Sequence, residues 1–238
     1  MIECIAISDL HGILPQITEE FDVLFICGDI LPLNIQKNIP KSERWLKKQF
    51  SNWINSLRCD KVFAVWGNHD FIGESCYYDK TRYSNIIYKP TDNKIKFLDD
   101  ESIDYTGKDG LTYKFWGSPW CSIFGKWAFM APDGFLRIKF DTMPDNCDLI
   151  ITHDAPDIGE MGVITQGYYS GERAGNGILL EAIKKYKPRI ALSGHIHTSQ
   201  HGFQKYPECE TTFATVSLLD ETYNEAYEPL QFKLEKSL

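Results

Sequence analysis

Short apolar runs that stop abruptly at polar residues punctuate the chain. Ile2 to Ile7 ends at Ser8-Asp9-Leu10-His11-Gly12, and Val23 to Cys27 ends at Gly28-Asp29. Val62 to Trp66 ends at Gly67-Asn68-His69-Asp70, Leu149 to Thr152 at His153-Asp154-Ala155-Pro156, and Arg189 to Ser193 at Gly194-His195-Ile196-His197. Apolar runs of this length suit strands buried on both faces, as in a parallel sheet. The intervening stretches predict helices over Pro15–Phe21 and from a Ser42 cap to about Leu57. In the second, Trp45, Leu46, Phe50, Trp53, Ile54 and Leu57 recur at helical spacing as a core stripe. Residues 32–42, with two prolines, read as a loop.

The middle of the chain has a different texture. Lys94–Leu98, Ser102–Tyr105 and Leu111–Trp116 read as short strands, with Gly107-Lys108-Asp109-Gly110 as turn chemistry between the last two. An aromatic stretch (Phe124, Trp127, Phe129) follows, for which packing or the lining of a pocket for a flat group are both open. Short helices are expected over Phe135–Asp141 and Ile178–Lys185, the latter stopped by Pro188, and closing antiparallel strands over Thr211–Ser217 and Leu230–Leu234. Alternating strands and helices with Asp or His at the strand ends describe an α/β fold whose site lies at the carboxyl edge of a sheet. With no repeat, low-complexity tract or linker, residues 1–238 are expected to form one domain.

Composition narrows the function more than the fold. The chain has 238 residues, 43% hydrophobic and 24% charged, and a formal net charge of −8. The charges are spread rather than blocked, which argues against a nucleic-acid polymer as partner because that needs a basic stripe. A small phosphate ester remains compatible, since metal ions could meet its charge locally. The opening residues lack a basic region and a cleavage site, and no apolar run reaches the ~18–20 residues of a membrane span. Seven scattered cysteines with no Cys-X-X-Cys pair suit a reducing cytoplasm, the expected location, and are assigned no chemistry.

The strand ends carry the chemistry. Of the 6 histidines only His201 lies outside them. Asp9 and His11, two apart, would leave the same side of an extended chain and could grip one ion. A single histidine at a strand end is commonly structural. Five such ends sharing Asp, Asn and His would crowd polar groups on one edge, and metal ions are their natural partners.

In this order Asp-X-His (Asp9, His11), Gly-Asp (Asp29), Gly-Asn-His-Asp (Asn68 to Asp70), a later His153 and Gly-His-X-His (His195, His197) resemble the calcineurin-like metallophosphoesterases, over residue 4 to about 197. Gly117-Ser118-Pro119-Trp120, the Gly171-Glu172-Arg173 loop and Ser217-Leu218-Leu219 look like the small, brain-type metallophosphoesterase-domain proteins and their bacterial relatives. The resemblance implies a four-layer α-β-β-α sandwich of two mixed sheets, with a di-metal site at strand carboxyl ends. It implies that Asp9, His11 and His197 hold a first metal, that Asn68, His153 and His195 hold a second, and that Asp29 bridges them. Imidazole suits Mn, Fe, Ni or Zn, and the oxygen ligands favour the harder end, so two Mn²⁺ ions are expected. Two such ions against Asp9 and Asp29 leave a net positive centre ~3.5–4 Å across, able to hold a phosphate and acidify a bridging water.

The mechanism that follows is in-line attack of a metal-bridging hydroxide on phosphorus, with His69 as general acid to the leaving oxygen. Asp70 either holds the His69 ring or shapes the turn. The expected substrates are small phosphodiesters such as cyclic nucleotides. Departures from the family pattern bear on this. Asp154 stands where relatives often carry a small residue. Ile30-Leu31-Pro32 and Val65-Trp66 lack the phosphate-clamping arginines of the family's Ser/Thr protein phosphatases, and no tyrosine follows Asp29 as in purple acid phosphatases. Arg173 is the one candidate phosphate clamp, with a solvated loop charge as the plainer reading. The competing readings are a nuclease, disfavoured by charge, and a non-catalytic scaffold, disfavoured because every station is filled. A β-lactam-type zinc hydrolase is disfavoured by the missing His-X-His-X-Asp-His motif.

Overall fold

A computed structural model of the chain describes residues 1–197 and 201–236. In chain order the strands are β1 (Ile2–Ile7), β2 (Val23–Cys27), β3 (Lys61–Val65), β4 (Ile95–Phe97), β5 (Glu101–Thr106), β6 (Thr112–Ser118), β7 (Cys121–Ser122) and β8 (Met130–Ala131). They continue with β9 (Leu149–Thr152), β10 (Ile190–Ser193), β11 (Gly202–Lys205), β12 (Thr212–Thr215) and β13 (Leu230–Leu234). One sheet runs β13-β1-β2-β3-β4 and the other β11-β12-β10-β9-β6-β5. Both are mixed: β1 to β4 are parallel with antiparallel β13 at one edge, and β12, β10, β9 and β6 are parallel between antiparallel β11 and β5.

Side-chain alternation explains why the apolar runs are nearly continuous. Cys4, Ala6, Phe25, Phe63 and Val65 share a buried cluster with Phe115, Leu149, Ile151 and Leu192 of the second sheet. Phe25 meets Phe115 edge to face at 5.0 Å across that interface. The alternate residues Ile5, Ile7, Leu24, Ile26, Val62 and Ala64 join a second cluster with Leu46, Phe50 and Ile54. Ile150, Ala191 and Phe213 lie in the same cluster as Leu136, Phe140, Leu179 and Ile183. Each central strand is thus apolar on both faces, one toward the partner sheet and one toward helices. This is the α-β-β-α sandwich.

The helices are α1 (Ile39–Trp45), α2 (Ser51–Ser56), α3 (Phe71–Tyr78), α4 (Lys80–Tyr83), α5 (Asp133–Phe140) and α6 (Gly177–Tyr186). A π-helical turn at Leu46–Phe50 joins α1 to α2, and another at Ser84–Tyr88 follows α4. The helix expected from Ser42 starts earlier. Asn38 accepts from the Lys41 amide as the cap, Pro40 sits in the first turn, and Ser42 lies inside with its hydroxyl on the Ile35 carbonyl. Proline is preorganised for a first helical turn, so the Asn-X-Pro order outranks the serine.

Two further expectations are corrected. Pro15–Phe21 is not helical. Tertiary donors hold its carbonyls, Trp53 Nε1 on Pro15 at 2.9 Å and Arg58 on Thr18, so they make no helical bonds to amides of their own segment. The two tail strands enter different sheets, β13 antiparallel to β1, and β12 antiparallel to β11 on one side but parallel to β10 on the other. The Gly107–Gly110 hairpin forms as expected, with the Gly107 amide on the Leu111 carbonyl at 2.9 Å.

Candidate functional site

The parallel strands of the two sheets deliver their carboxyl ends to one place. The Leu218 amide bonds the Ser8 carbonyl at 3.0 Å, stitching the sheets together beside Asp9. Asp9 and His11 do reach a common locus, but not as an extended chain. Both have positive φ, 53° and 43°, and so do Asp29 at 52° and His195 at 67°. The left-handed region is costly for such side chains, and strain of this kind concentrates where geometry serves function. Backbone bonds hold the curl: Asp9 to the Gly28 carbonyl at 3.0 Å and His11 to that of Asp29 at 2.9 Å. At Gly194 a Cβ atom would meet Asp9 Oδ2 at 2.5 Å, so only glycine lets the His195 backbone cover that carboxylate.

Asp29 occupies the middle, 2% exposed. Its Oδ2 lies 3.6 Å from His11 Nε2, and its Oδ1 lies 3.5 Å from His153 Nε2 and accepts from the His69 amide at 2.7 Å. On one side His197 Nε2 approaches Asp9 Oδ1 at 3.2 Å, and Asp9, His11 and His197 have ligand atoms within 4.8 Å of one another. On the other, Asn68 Oδ1 sits 2.8 Å from His153 Nε2 and 3.0 Å from His195 Nδ1. His153 turns its other nitrogen to the Cys27 carbonyl at 2.8 Å, and His197 turns its own to Asp220 at 2.8 Å, which fixes both rings. All seven residues expected as metal ligands therefore meet in one buried cleft.

The cleft fits divalent cations on its own chemistry. Both ring nitrogens of His11 are buried without a hydrogen-bond partner among the described residues, an arrangement that leaves at least one lone pair free for a cation. Burial drives the His11 ring down to about 3 and keeps His153 and His195 below their usual values, so all three present the neutral form a metal requires. Burial also pushes Asp29 well above the carboxylate range, reinforced by Asp70 and Asp9, because no lysine or arginine among the described residues pairs with it. For His197 burial opposes the charge, but the Asp9 carboxylate outweighs it and raises the ring, while Asp9 itself is held low against its own burial.

The Gly67–Asp70 turn separates three jobs. Asn68 faces His153 and His195. His69 lies against the other half, its Nε2 3.9 Å from Asp29 Oδ2 and its ligand atom within 4.8 Å of those of His11 and Asp29. Asp70 does not touch the His69 ring. Its carboxylate accepts from the Ile30, Leu31 and Gly67 amides at 2.9–3.2 Å, so it ties the β3 turn to the β2 turn. The ring is held instead by Gln36, whose Oε1 lies 2.5 Å from His69 Nδ1, while Trp127 stacks on the ring at 4.5 Å.

Several residues show no motif in the sequence. Gln36 is one, lying in the 32–42 segment with nothing local to mark it. Tyr223 is another, its ring 5.1 Å from that of His11 and 5.3 Å from that of His197. Cys121 is a third: its Sγ lies within 4.8 Å of ligand atoms of His153 and His195, although nothing in the spacing of the cysteines points to it. The aromatic stretch divides, Phe129 entering the core while Trp127 covers His69 and Phe124 lies 5.2 Å from His195. Asp154 is buried and spent on Ser122, Ala155 and Asn176 rather than on solvent or an ion. Arg173 pairs with Asp157 and the Gly159 carbonyl, the solvated-loop alternative. His201, outside the strand ends, stacks on Tyr227 at 4.9 Å.

Comparison with known proteins agrees with this geometry. Residues 4–199 match the calcineurin-like phosphoesterase family. The human and mouse metallophosphoesterase domain-containing protein 1 are each 24% identical over 248 residues, covering 97% of this chain and 70% of their own. A solved crystal structure superposes with a TM-score of 0.62 at 16% identity, over 99% of this chain and 100% of the other. A phosphopantetheinyl hydrolase from Mycobacterium tuberculosis superposes with a TM-score of 0.53 at 14% identity, over 92% and 90%. The two structures share the fold. The chain belongs to the calcineurin-like phosphoesterase family and is a metal-dependent phosphoesterase.

Proposed function

We propose that the chain is a di-metal phosphodiesterase of small esters, cyclic nucleotides among them, with two Mn²⁺ ions as its cofactor and the cytoplasm as its place of work. Asp9, His11 and His197 would hold one ion, Asn68, His153 and His195 the other, and Asp29 would touch both. The observation that carries this reading is the position of Asp29, with one carboxylate oxygen 3.6 Å from His11 and the other 3.5 Å from His153. A carboxylate so placed can bond a different ion through each oxygen.

The ions, when bound, supply positive charge for the phosphoryl oxygens and lower the pKa of water that attacks phosphorus. The protein does the rest. Burial of Asp9, Asp29 and His153 keeps water from screening the charges that grip the ester. His69 gives its proton to the leaving oxygen. Gln36 accepts from Nδ1–H and so presents Nε2 toward the cleft. In the resting cleft burial and the neighbouring His153 lower the His69 ring to about 4; the negative charge of a bound ester favours its protonated form. Trp127 behind His69 and exposed Phe124 beside His195 give the cleft aromatic walls, which suits an ester carrying a flat base.

No helix among the described residues is long and apolar enough to cross a membrane. The test is a substrate panel on protein reconstituted with Mn²⁺. Turnover of bis-p-nitrophenyl phosphate and of 2′,3′-cyclic nucleotides above that of p-nitrophenyl phosphate is expected. Inactivity on both diesters would sink the proposal.

A further inference from the structure

Residues 201–236 lie beyond the part of the chain that matches the family, yet one loop of this region enters the cleft. The loop is tightly wired. The Asp220 carboxylate accepts from the Thr222 and Asn224 amides at 2.8 and 3.0 Å, and the Asp220 carbonyl takes both the Tyr223 amide at 2.9 Å and His197 Nδ1 at 2.8 Å. The outcome is a tyrosine with φ of 64°, a conformation that bulky side chains avoid. The residue is 44% exposed. It stands edge-on to three rings, His11 at 5.1 Å, His197 at 5.3 Å and His69 at 6.4 Å.

A core role does not explain this. The side chain is too exposed to contribute much burial, and its backbone is strained. Surface decoration does not explain it either, because the ring leans on the half of the cleft formed by His11 and His197. A tyrosine hydroxyl is a neutral hydrogen-bond donor at ordinary pH, and here it stands over a site built for anions.

We propose that Tyr223 is a substrate-contacting residue: its ring walls the His11–His197 half of the cleft and its hydroxyl donates a hydrogen bond to the phosphoryl group held there. This rests on the phosphoesterase reading of the same cleft. Together with Phe124 beside His195 and Trp127 behind His69, Tyr223 rings the cleft with aromatic groups, and it is the one of the three that stands over His11 and His197.

The experiment compares wild-type, Tyr223→Phe and Tyr223→Asn proteins loaded with Mn²⁺, reading metal content, Tm, and kcat and KM on bis-p-nitrophenyl phosphate. Tyr223→Phe keeps the ring and removes the donor. Its kcat/KM is expected to fall ~10- to 100-fold, the size of one hydrogen bond to a charged group, with metal content unchanged. Tyr223→Asn suits the left-handed backbone, so it is expected to melt no lower than the wild type while losing at least as much activity. An active wild type with unaltered Tyr223→Phe kinetics overturns the role of Tyr223 and leaves the phosphoesterase reading intact. So does a Tyr223→Asn protein that melts lower yet keeps its activity, since that is structural behaviour. A wild type that turns over no ester overturns the reading itself, and this role with it.

Discussion

Gln36 Oε1 and His69 Nδ1 lie 2.5 Å apart, joining a loop after β2 to the turn after β3 across 33 residues of chain. The bond keeps one proton on Nδ1, because a glutamine carbonyl can only accept, and so leaves Nε2 as the nitrogen that takes up and gives the acid proton. Gln36→Leu is therefore expected to lower kcat by about tenfold or more on esters with poor leaving groups, with metal content unchanged, since general acid help is worth ~10²–10⁴-fold in total. Gln36→Glu keeps the acceptor and should recover much of the loss. Equal kinetics for Gln36→Leu and the wild type would remove Gln36 from the account.

His69→Ala is the companion test. Two ions per chain should remain bound, and turnover of alkyl esters should fall ~10²–10⁴-fold. For p-nitrophenyl esters, whose leaving group needs little protonation, the loss should be much smaller. Because His69 also lies within ligand reach of His11 and Asp29, metal analysis decides between the two roles. An His69→Ala protein that holds fewer ions would make His69 a ligand.

How much of this was legible in the sequence depends on whether a residue's partner is local. The apolar runs announced β1, β2, β3, β9 and β10 because each is buried on both faces, and the polar residues that stop them share one cleft because parallel strands bring their carboxyl ends to one edge. Spacing pairs Asp9 with His11, yet the chain curls through positive φ there, held by carbonyls of the neighbouring strand's turn. Gln36, Tyr223 and Cys121 acquire their places only from tertiary contacts, and no periodicity marks them. The Pro15–Phe21 segment failed for the same reason, since Trp53 and Arg58 took its carbonyls.

Asp70 supports the fold of the site rather than its chemistry. Its buried carboxylate satisfies amides of Ile30, Leu31 and Gly67, and burial lifts it to about 6 even so. Asp70→Ala leaves those donors unpaired and is expected to cost at least ~2–3 kcal/mol in denaturant unfolding. Asp70→Asn retains an acceptor and should cost less. A loss under ~1 kcal/mol for Asp70→Ala would contradict this role.

Metal should also stabilise the fold, because it compensates Asp29, which no lysine or arginine among the described residues meets, and takes up one of the two unpartnered His11 nitrogens. At a free ion concentration of 100 Kd, one site adds ~2.7 kcal/mol to unfolding. Chelation is expected to lower Tm, and Asp29→Asn should shrink that difference. A Tm indifferent to chelator would mean that the cleft does not bind ions in the folded state.

The central claim is that two ions act together across Asp29. Titrating Mn²⁺ into metal-free protein while following hydrolysis of bis-p-nitrophenyl phosphate tests it most directly. Activity is expected to rise to a plateau at two equivalents per chain and to be abolished by Asp29→Asn. A plateau at one equivalent, or turnover that survives removal of all metal, would contradict it.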